Sequence, residues 1–394
     1  MLQAARYKER KMAKRIIEHA HVVSPKSDIA GATVVVEEGI IKAVLPPGSP
    51  MPQDGERYDA DGAYVVPGFI DIHTHGAAGK DVTDPDEDAV ETVARAKLQE
   101  GCTSFAPTTL TLDEPTLRTS VEHVAAYKAA GEKYSKAIGV HLEGPFINPA
   151  CLGAQNPAFV RKPDIAEVLR HQSVAKITQV TFAAEMEGGV AFTRACLENG
   201  IVPSCGHSKA GYAEFATAYA AGLRHLTHFC NQMTPLHHRN IGLVGAGFLH
   251  GDVRTEVICD KIHLCPEMIR LIFALRPRKS IVMITDSMRA SHLPDGPSSL
   301  GGLDVIVKDG QARLASNGAL AGSVLRMNIA LRNVHEVTGL PLSEIIQCTS
   351  WNQAVELGFG DTLGKVEPGY VADLAILDPE TFAVRDVFVN GKKA

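Results

Sequence analysis

Short apolar runs, each ending in polar or charged residues, recur eight times in the middle of the chain. Helix-like stretches such as EDAVETVARAKLQE and EPTLRTSVEHVAAYKAA lie between most of them. Alternating strands and helices favour parallel pairing, and eight such repeats predict a (β/α)₈ barrel of the TIM type. A doubly wound sheet is the alternative, but it usually has fewer strands and a glycine-rich first turn, and the chain has no GxGxxG. The predicted strands are YVVPGFIDIHTH (64–75), CTSFAPTT (102–109), AIGVHLEG (137–144), QVTFAAE (179–185), IVPSCGHS (201–208), LRHLTHFCN (223–231), TEVICDKIH (255–263) and SIVMITDS (280–287).

Both ends of the chain have a different pattern, with no room for a long helix. RIIEHAHVV, ATVVVEEG and IIKAVLPPG near the start are strand-like pieces separated by turn residues. GKVEPGYVADLAILD and VRDVFVNGKKA near the end predict a return strand and a hairpin. We therefore expect a small β-sandwich domain formed from both termini, with residues 1–66 as its first part, 67–356 as the barrel and 357–394 as its second part.

Composition narrows the classes of function. The chain has 394 residues, of which 45% are hydrophobic, and a net charge of −6, so neither a nucleic-acid nor a membrane-surface partner is expected. The basic start, MLQAARYKERKMAKR, is not followed by an apolar stretch of signal-peptide type, and we expect a solvated segment there. The eight cysteines form no CxxC pair, which predicts reduced thiols and a cytoplasmic protein.

Polar side chains cluster at the C-terminal ends of the predicted strands, the face where barrel enzymes place their chemistry. Alternate residues of a strand point to the same side, so the HxH pair of His73 and His75 aims two imidazoles together, with Asp71 on that side as well. Imidazole and carboxylate are ligands that suit Zn²⁺ or Fe²⁺. The complete set of strand-end residues is His73, His75, Glu143, His207, His228, His263 and Asp286.

The pattern predicts two metal-binding groups. Glu143, His207 and His228 form one, and His73 and His75 form the second, with Glu143 reaching both metals. Asp286, in ITDS, is the natural base for a water whose pKa a metal lowers. A single histidine at a strand end is usually a hydrogen-bonding residue, but such residues at six of eight strand ends favour metal-dependent catalysis.

A family resemblance rests on eight segments in their order along the chain: PGFIDIHTHG, HLEGPFINP, GHS, THFCNQMTPLHHR, ITDSMRA, LPDG, LGG and LAGS. They resemble the motifs of the N-acetylglucosamine-6-phosphate deacetylases of the amidohydrolase superfamily, and the resemblance covers nearly the whole chain. It implies hydrolysis of the acetamide of N-acetylglucosamine-6-phosphate to glucosamine-6-phosphate and acetate in amino-sugar catabolism. With the zinc or iron that the ligand chemistry favours, it implies one or two ions per subunit, and it also implies a homodimer.

The resemblance implies a role for each matching residue. Glu143, His207 and His228 match the ligands of the principal metal, the HxH pair implies that a second metal can bind, and Asp286 matches the catalytic acid and base. Arg239 matches an arginine that helps to bind phosphate in the neighbouring subunit. The substrate-binding residues implied in this way are His263, Asn231, Gln232, Arg239 and Gln155.

Three departures from the family pattern lie near the sugar and phosphate end. Lys261 replaces a usual Gly, and if that position needs a positive φ the lysine costs roughly 1 kcal/mol or more. Gln232 replaces a common Ala. Asn240 and Ile241 stand where the family usually has a Glu–Pro pair. The departures leave the sugar open, so N-acetylgalactosamine-6-phosphate is the alternative substrate. Another amidohydrolase reaction on a related amide, and a non-catalytic sugar-phosphate sensor, are the rivals from other classes.

Overall fold

The computed structural model describes residues 14–394, so the prediction for the basic segment before residue 14 lies outside the described residues. The strands are β1 (Arg15–Ser24), β2 (Ser27–Glu37), β3 (Ile40–Leu45), β4 (Glu56–Asp59), β5 (Tyr64–Pro67), β6 (Phe69–Thr74), β7 (Gly76–Ala77), β8 (Lys80–Asp81), β9 (Cys102–Pro107), β10 (Lys136–Ala137), β11 (Val140–Glu143), β12 (Ile177–Phe182), β13 (Val202–Cys205), β14 (His225–Leu226), β15 (Arg254–Ile258), β16 (Ile281–Ile284), β17 (Gly296–Leu300), β18 (Leu303–Lys308), β19 (Gln311–Leu314), β20 (Leu374–Leu377), β21 (Val384–Val389) and β22 (Lys392–Lys393). The helices are α1 (Ala89–Gln99), α2 (Glu114–Ala129), α3 (Ile165–Gln172), α4 (Gly189–Glu198), α5 (Tyr212–Ala220), α6 (Gly242–Leu249), α7 (Pro266–Leu275), α8 (Met327–Thr338), α9 (Leu342–Ile345) and α10 (Trp351–Glu356).

The eight predicted apolar runs each contain a barrel strand, so the predicted barrel is confirmed. β11 to β16 pair in sequence order and in parallel, and β6 pairs with β9 in the same sense. Parallel bridges between Thr108 and His141 and between Thr74 and Ser287 join these two groups of strands. The continuous apolar runs reflect burial on both faces, because helices cover the outside and side chains fill the inside.

The first predicted strand, 64–75, divides between two sheets. β5 pairs with β1 and β20 outside the barrel, whereas β6 belongs to the barrel. The division falls at Gly68, where an added Cβ would lie 2.3 Å from the Thr103 side chain. The Thr103 side chain leaves no room for a Cβ at this position, so the chain passes from one sheet into the other at a glycine.

Strands from both ends of the chain form one sheet, in the order β22-β21-β20-β5-β1-β2-β3, with β4 paired to β1. Its side chains enclose a separate apolar cluster that includes Ile17, Val34, Leu374 and Phe388. The barrel has its own larger core. This architecture agrees with the predicted small β domain formed from both termini, and within residues 14–394 no helix is long and apolar enough to cross a membrane.

A three-stranded antiparallel sheet, β17 to β19, follows the last barrel strand and was not predicted. We call these strands the cover sheet. β18 and β19 are joined by Asp309 and Gly310, both with positive φ, as a two-residue hairpin turn requires. The alternation of LDVIVK and the Asp-Gly pair after it were therefore a signal in the sequence for this hairpin.

Glu100, just after α1, holds both ends of the segment that contains the cover sheet. Its Oε1 lies 2.9 Å from Nε2 of His292 before the sheet, and its Oε2 accepts the N–H of Met327 after it at 3.0 Å. The buried ammonium of Lys97 lies 2.7 Å from Glu100 and 2.8 Å from Asp71. The charge of Lys97 offsets the two buried carboxylates, which would otherwise be costly to desolvate.

Candidate active site

The predicted metal and catalytic residues meet at the C-terminal end of the barrel, because parallel strands all end at the same face. All of them except the fully buried His73 line a cavity of about 270 Å³. Leu110 and the cover sheet's Leu300 provide part of its apolar wall. The predicted site residues that line it are His75, Glu143, Gln155, His207, His228, Asn231, Gln232, His263 and Asp286.

Glu143 lies at the centre of the imidazoles. Its Oε1 is 3.1 Å from Nε2 of His228 and 3.3 Å from Nε2 of both His207 and His73. Its Oε2 is 3.3 Å from Nε2 of His75. A single carboxylate therefore contacts both histidine pairs, which is the geometry that a ligand shared by two metal ions requires.

The four imidazoles present the same ring nitrogen to the centre because their Nδ1 atoms are engaged elsewhere. Nδ1 of His75 lies 3.2 Å from the carbonyl of Thr108, that of His207 lies 2.8 Å from the carbonyl of Cys151, and that of His228 lies 3.2 Å from the carbonyl of Asn231. Nδ1 of His73 lies 2.8 Å from a Glu256 carboxylate oxygen. Oxygen acceptors require Nδ1–H, so a neutral ring keeps its lone pair on Nε2, as a metal ligand must.

The donor set fits a divalent metal ion. Nε2 of His73 is buried without a hydrogen-bond partner, although buried polar atoms usually have one. Nε2 of His207 and Nε2 of His228 lie only 3.0 Å apart, so two lone pairs face each other unless a proton or a cation is shared between them. Nitrogen and carboxylate donors at such distances are typical of Zn²⁺ or Fe²⁺ sites.

Asp286 is an ionised carboxylate that lies beside the histidine pair His73 and His75. Its Oδ1 is 3.1 Å from Nε2 of His75 and 3.6 Å from Nε2 of His73. Burial raises the pKa of Asp286, but the imidazoles of His73 and His75 outweigh that effect and lower it. Burial lowers the pKa of His75, but hydrogen bonds to Asp286 and Glu143 raise it to about 10, so a metal ion bound at Nε2 would displace a proton from that ring. Asp286 is therefore ionised at neutral pH, as a group that accepts a proton must be.

The strand ends carry a strained backbone. His207, His228 and Asp286 have φ values of 47°, 30° and 49°, and Lys261 and Gln232 have 66° and 48°. Left-handed conformations are uncommon for residues other than glycine and cost energy, which the surrounding structure must supply. The side chains of His207, His228, Gln232 and Asp286 line the cavity, whereas that of Lys261 does not.

His263 is held by Asp260 three residues earlier. One Asp260 oxygen accepts the backbone N–H groups of Ile262 and His263 at 2.8 Å, and the other lies 2.7 Å from Nδ1 of His263. Burial lowers the pKa of His263, but the hydrogen bond and charge of Asp260 outweigh it and raise it. Because Nδ1–H is directed to Asp260, Nε2 of His263 can donate a hydrogen bond only when the ring is an imidazolium.

Lys261 has the positive φ that the departure from glycine implied, at 66°. Its ammonium lies 2.8 Å from Oε2 of Glu336, and the residue is not among those that line the cavity. The cation expected near the mouth is therefore paired with a carboxylate on α8.

We expect Lys261→Gly to stabilise the fold slightly and to leave substrate binding unchanged. Relief of a left-handed lysine contributes roughly 1 kcal/mol. The lost pair with the half-exposed Glu336 offsets about 0–1 kcal/mol of that gain. Thermal unfolding and KM of the variant test this, with Glu336→Gln as the control that removes the pair and keeps the lysine. A several-fold rise in KM for Lys261→Gly alone would contradict the pairing.

Four of the substrate-binding residues predicted from the resemblance line the cavity: His263, described above, and Gln155, Asn231 and Gln232. The carboxamide of Gln155 donates to Oε2 of Glu143 and accepts the Thr111 N–H at 2.7 Å, so both of its ends are engaged within the protein. The exposed Gln232 lies at the mouth and packs on Gly153, where an added Cβ would be 3.1 Å from its Cγ. Asn231 follows the turn that carries His228. Their contacts with a substrate remain predictions.

Arg239 does not line the cavity. It lies in an exposed loop beside His237, with its guanidinium 2.7 Å from Nε2 of His238. Asp71, which the strand alternation placed with the imidazoles, instead contacts Lys97 at 2.8 Å and the Thr285 hydroxyl at 2.5 Å. It joins the first barrel strand to the segment before Asp286.

Sequence reasoning missed several residues that shape the site. Glu256 and Gln179 lie in the interiors of their strands. The alternation of side chains along those strands gave no sign of their contacts with the histidines of the site. The cover sheet and the segment after it form part of the cavity wall. This part was also missed, because the sheet itself was not predicted. It consists of Leu300, Ala319, Leu320 and Gly322.

Comparison with known proteins places the chain among related sequences and structures. A family model described as "Amidohydrolase family" matches residues 64–394. The N-acetylglucosamine-6-phosphate deacetylase of Bacillus subtilis is 34% identical over 370 residues, covering 93% of each chain. The N-acetylgalactosamine-6-phosphate deacetylase of Escherichia coli O157:H7 is also 34% identical, over 91% of this chain and 93% of its own.

Two solved structures share the fold over almost the full length. N-acetylglucosamine-6-phosphate deacetylase from Thermotoga maritima has a TM-score of 0.86 and 35% identity, covering 96% of this chain and 99% of its own. A mutant of the Mycobacterium smegmatis deacetylase, in complex with N-acetyl-D-glucosamine-6-phosphate, has a TM-score of 0.90 and 29% identity, covering 97% and 99%. The sequence motifs, the barrel and these matches agree, and the chain belongs to the amidohydrolase family, in the group that contains the N-acetylglucosamine-6-phosphate deacetylases.

Proposed function

We propose that this protein is a metal-dependent hydrolase that converts N-acetylglucosamine-6-phosphate and water to glucosamine-6-phosphate and acetate. The observation that carries the proposal is the convergence of Glu143, two histidine pairs and Asp286 on one cavity. The names of the relatives give the substrate. N-acetylgalactosamine-6-phosphate is the second candidate, because a relative of equal identity is named for it.

The proposed metal ligands are Glu143, His207 and His228 for the principal ion, and His73 and His75 with Glu143 for a second. The donor atoms of Glu143, His207 and His228 lie within 4.8 Å of one another, as do those of His73, His75 and Asp286. Glu143 lies 3.3 Å from Nε2 of both His73 and His75, which supports its place as a ligand shared with the second group. Zn²⁺ or Fe²⁺ bound there supplies Lewis-acid chemistry, which acidifies a water and polarises a carbonyl group.

The other residues of the site move protons and stabilise charge. Asp286 accepts a proton from the attacking water and later returns it to the leaving amine, so the amide C–N bond breaks while the new C–O bond remains in acetate. His263, as an imidazolium, donates from Nε2 to the carbonyl oxygen as negative charge develops on it. Asp260 holds that ring in place and in its charged form.

We expect activity to fall as the pH rises through the raised pKa of His263, because the neutral ring has no proton on Nε2. Asp260→Asn removes the charge that raises this pKa, so the alkaline limb of the kcat profile moves to lower pH. The acidic limb is unchanged, since Asp260 contacts none of the proposed metal ligands. Complete pH profiles of the parent and Asp260→Asn test this, and superimposable alkaline limbs would contradict the role.

In the proposed complex, residues from two subunits bind the phosphate end of the substrate. Asn231 and Gln232 contact the substrate from the subunit whose cavity holds it, and Arg239 reaches the neighbouring subunit of a homodimer. Exposure of the Arg239 loop and its absence from the cavity wall of its own subunit support this arrangement.

Mixing two inactive variants tests the contribution of Arg239. Chains with Asp286→Asn and chains with Arg239→Ala, unfolded together and refolded, form mixed dimers in which one cavity has both an intact Asp286 and an intact Arg239 from its neighbour. We expect partial recovery of activity in the mixture. Activity no higher than the sum of the separate variants would show that Arg239 does not act across subunits.

Acetate release by metal-analysed protein tests the function directly. The substrates are the 6-phosphates of N-acetylglucosamine and N-acetylgalactosamine, with unphosphorylated N-acetylglucosamine as the control. Strong preference for one phosphate names the sugar, and activity on none of them from metal-loaded protein would refute the proposal. The eight unpaired cysteines support a reducing, cytoplasmic setting for this reaction.

A further inference from the structure

Glu256 lies inside the barrel, directly beneath the imidazoles, and is fully buried. Its Oε2 lies 2.8 Å from Nδ1 of His73 and accepts the backbone N–H of His228 at 3.1 Å. Its Oε1 accepts from the Gln179 carboxamide at 2.7 Å and lies 3.0 Å from Nε2 of His225. An ionised carboxylate has about four lone-pair positions, so four such donors satisfy it completely.

Among the four imidazoles, His73 alone is oriented by a side chain. The Nδ1 atoms of the other three face main-chain carbonyl oxygens, which carry no net charge. The oxygen that contacts His73 also contacts the backbone of His228. Since these two residues belong to different metal-binding groups, one carboxylate oxygen contacts a proposed ligand of each ion.

A buried chain of charges continues from Glu256 away from the metal-binding groups. Nδ1 of His225 lies 2.7 Å from Oε1 of Glu356, and Oε2 of Glu356 lies 3.6 Å from the Arg254 guanidinium. His225 faces a carboxylate with each ring nitrogen, so both nitrogens are donors and the ring is an imidazolium. Burial lowers the pKa of His225, but Glu356 and Glu256 outweigh it and raise it to about 9.

We propose that Glu256 is a positioning residue shared by the two metal-binding groups, and that His225 and Glu356 hold its carboxylate in place. The inference rests on the metal ligands of the proposed function. A carboxylate on Nδ1 fixes the tautomer and the orientation of a ligating imidazole and raises the basicity of its Nε2. Displacing Glu256 therefore weakens both ions, through the ring of His73 and through the backbone of His228.

The rival interpretation is a purely structural ion chain that fills the barrel interior. A matched pair of substitutions separates the two. Glu256→Asp and Glu356→Asp each shorten one buried carboxylate of the same chain by one methylene and keep its charge. They differ in that Glu256 contacts proposed metal ligands, whereas Glu356 contacts His225 and Arg254.

The experiment measures Zn²⁺ affinity by competition with a chelator, Zn²⁺ stoichiometry, and the unfolding temperature of the metal-free proteins. We expect Glu256→Asp to lower Zn²⁺ affinity about 10–100-fold. This is the typical effect of losing a residue that is hydrogen-bonded to a metal ligand. Glu356→Asp leaves the affinity close to that of the parent, although the metal-free unfolding temperatures of both fall. Equal Zn²⁺ affinities in the two variants would overturn the proposal. Glu256→Gln, which keeps the side-chain volume, replaces Glu256→Asp if the shortened chain does not fold, and the same loss of affinity is expected.

A second measurement tests whether Glu256 serves both groups. In a His73→Ala background only the group of Glu143, His207 and His228 is intact. Adding Glu256→Asp is expected to lower the affinity for that remaining ion further, because the contact with the His228 backbone is lost. An unchanged affinity would overturn the shared role. These measurements use no sugar, so absence of deacetylase activity would refute the proposed function without affecting this result.

Discussion

Asp286→Asn is expected to lower kcat by about 10²–10⁴-fold, the usual contribution of a positioned general acid and base. The carboxylate lies 3.1 Å from His75 and, in the proposed mechanism, receives the proton of the water and delivers it to the amine. Asparagine keeps the shape of the side chain but cannot carry the proton from the water to the amine. KM is expected to change little, because the residues proposed to contact the sugar and the phosphate are other ones: Asn231, Gln232 and Arg239.

The decisive companion measurement is metal content. Asp286→Asn is expected to retain its metal, since Glu143 and the four imidazoles remain. Asp252→Asn is a suitable control, because that carboxylate lies 3.1 Å from Arg224 and away from the cavity, and its kcat should equal that of the parent. Turnover of Asp286→Asn near the parent rate, with full metal content, would remove Asp286 from the mechanism.

His207→Ala is the second change with a large expected effect. His207 contributes Nε2 to the principal group, 3.3 Å from Glu143 and 3.0 Å from Nε2 of His228. Loss of a direct ligand costs more than the roughly 10–100-fold in affinity that loss of an outer partner costs. We therefore expect loss of the principal ion and, with it, loss of nearly all activity.

Elemental analysis of three variants checks this assignment. We expect His207→Ala to lose the principal ion and His73→Ala to lose only the second. His19→Ala is the control, because that side chain is 69% exposed and pairs with Asp59, outside the site. Full metal occupancy in His207→Ala would refute the ligand assignment. A loss of both ions in His73→Ala would show that the two groups cannot fill separately.

The sequence predicted the barrel and the ring of metal donors because both depend on local periodicity. Each barrel strand is a short apolar run, and parallel strands end at one face, so Glu143, His207 and Asp286 had to meet once the barrel was recognised. No knowledge of side-chain packing was needed for that step. The sharing of Glu143 between both histidine pairs was expected for the same reason.

Contacts that depend on loops or on strand interiors could not be predicted in this way. The Nδ1 partner of His207 is the carbonyl of Cys151, and any residue at that position has a carbonyl group. Glu256 lies within an apolar strand, where a carboxylate is explained only by the donors that surround it in three dimensions. The cover sheet was missed for another reason: its Asp-Gly hairpin was visible, but the expected pattern ended with the eighth barrel strand.

The attachment of the cover sheet through Glu100 has an evolutionary consequence. Because both stems of this insertion are fastened to one carboxylate, the thirty or so residues between them can vary without moving the barrel strands. Leu300 and Leu320 belong to that segment and face the cavity. Substitutions in this segment would therefore reshape the cavity wall, and with it the choice of substrate, while the metal-binding residues on the barrel strands stay in place.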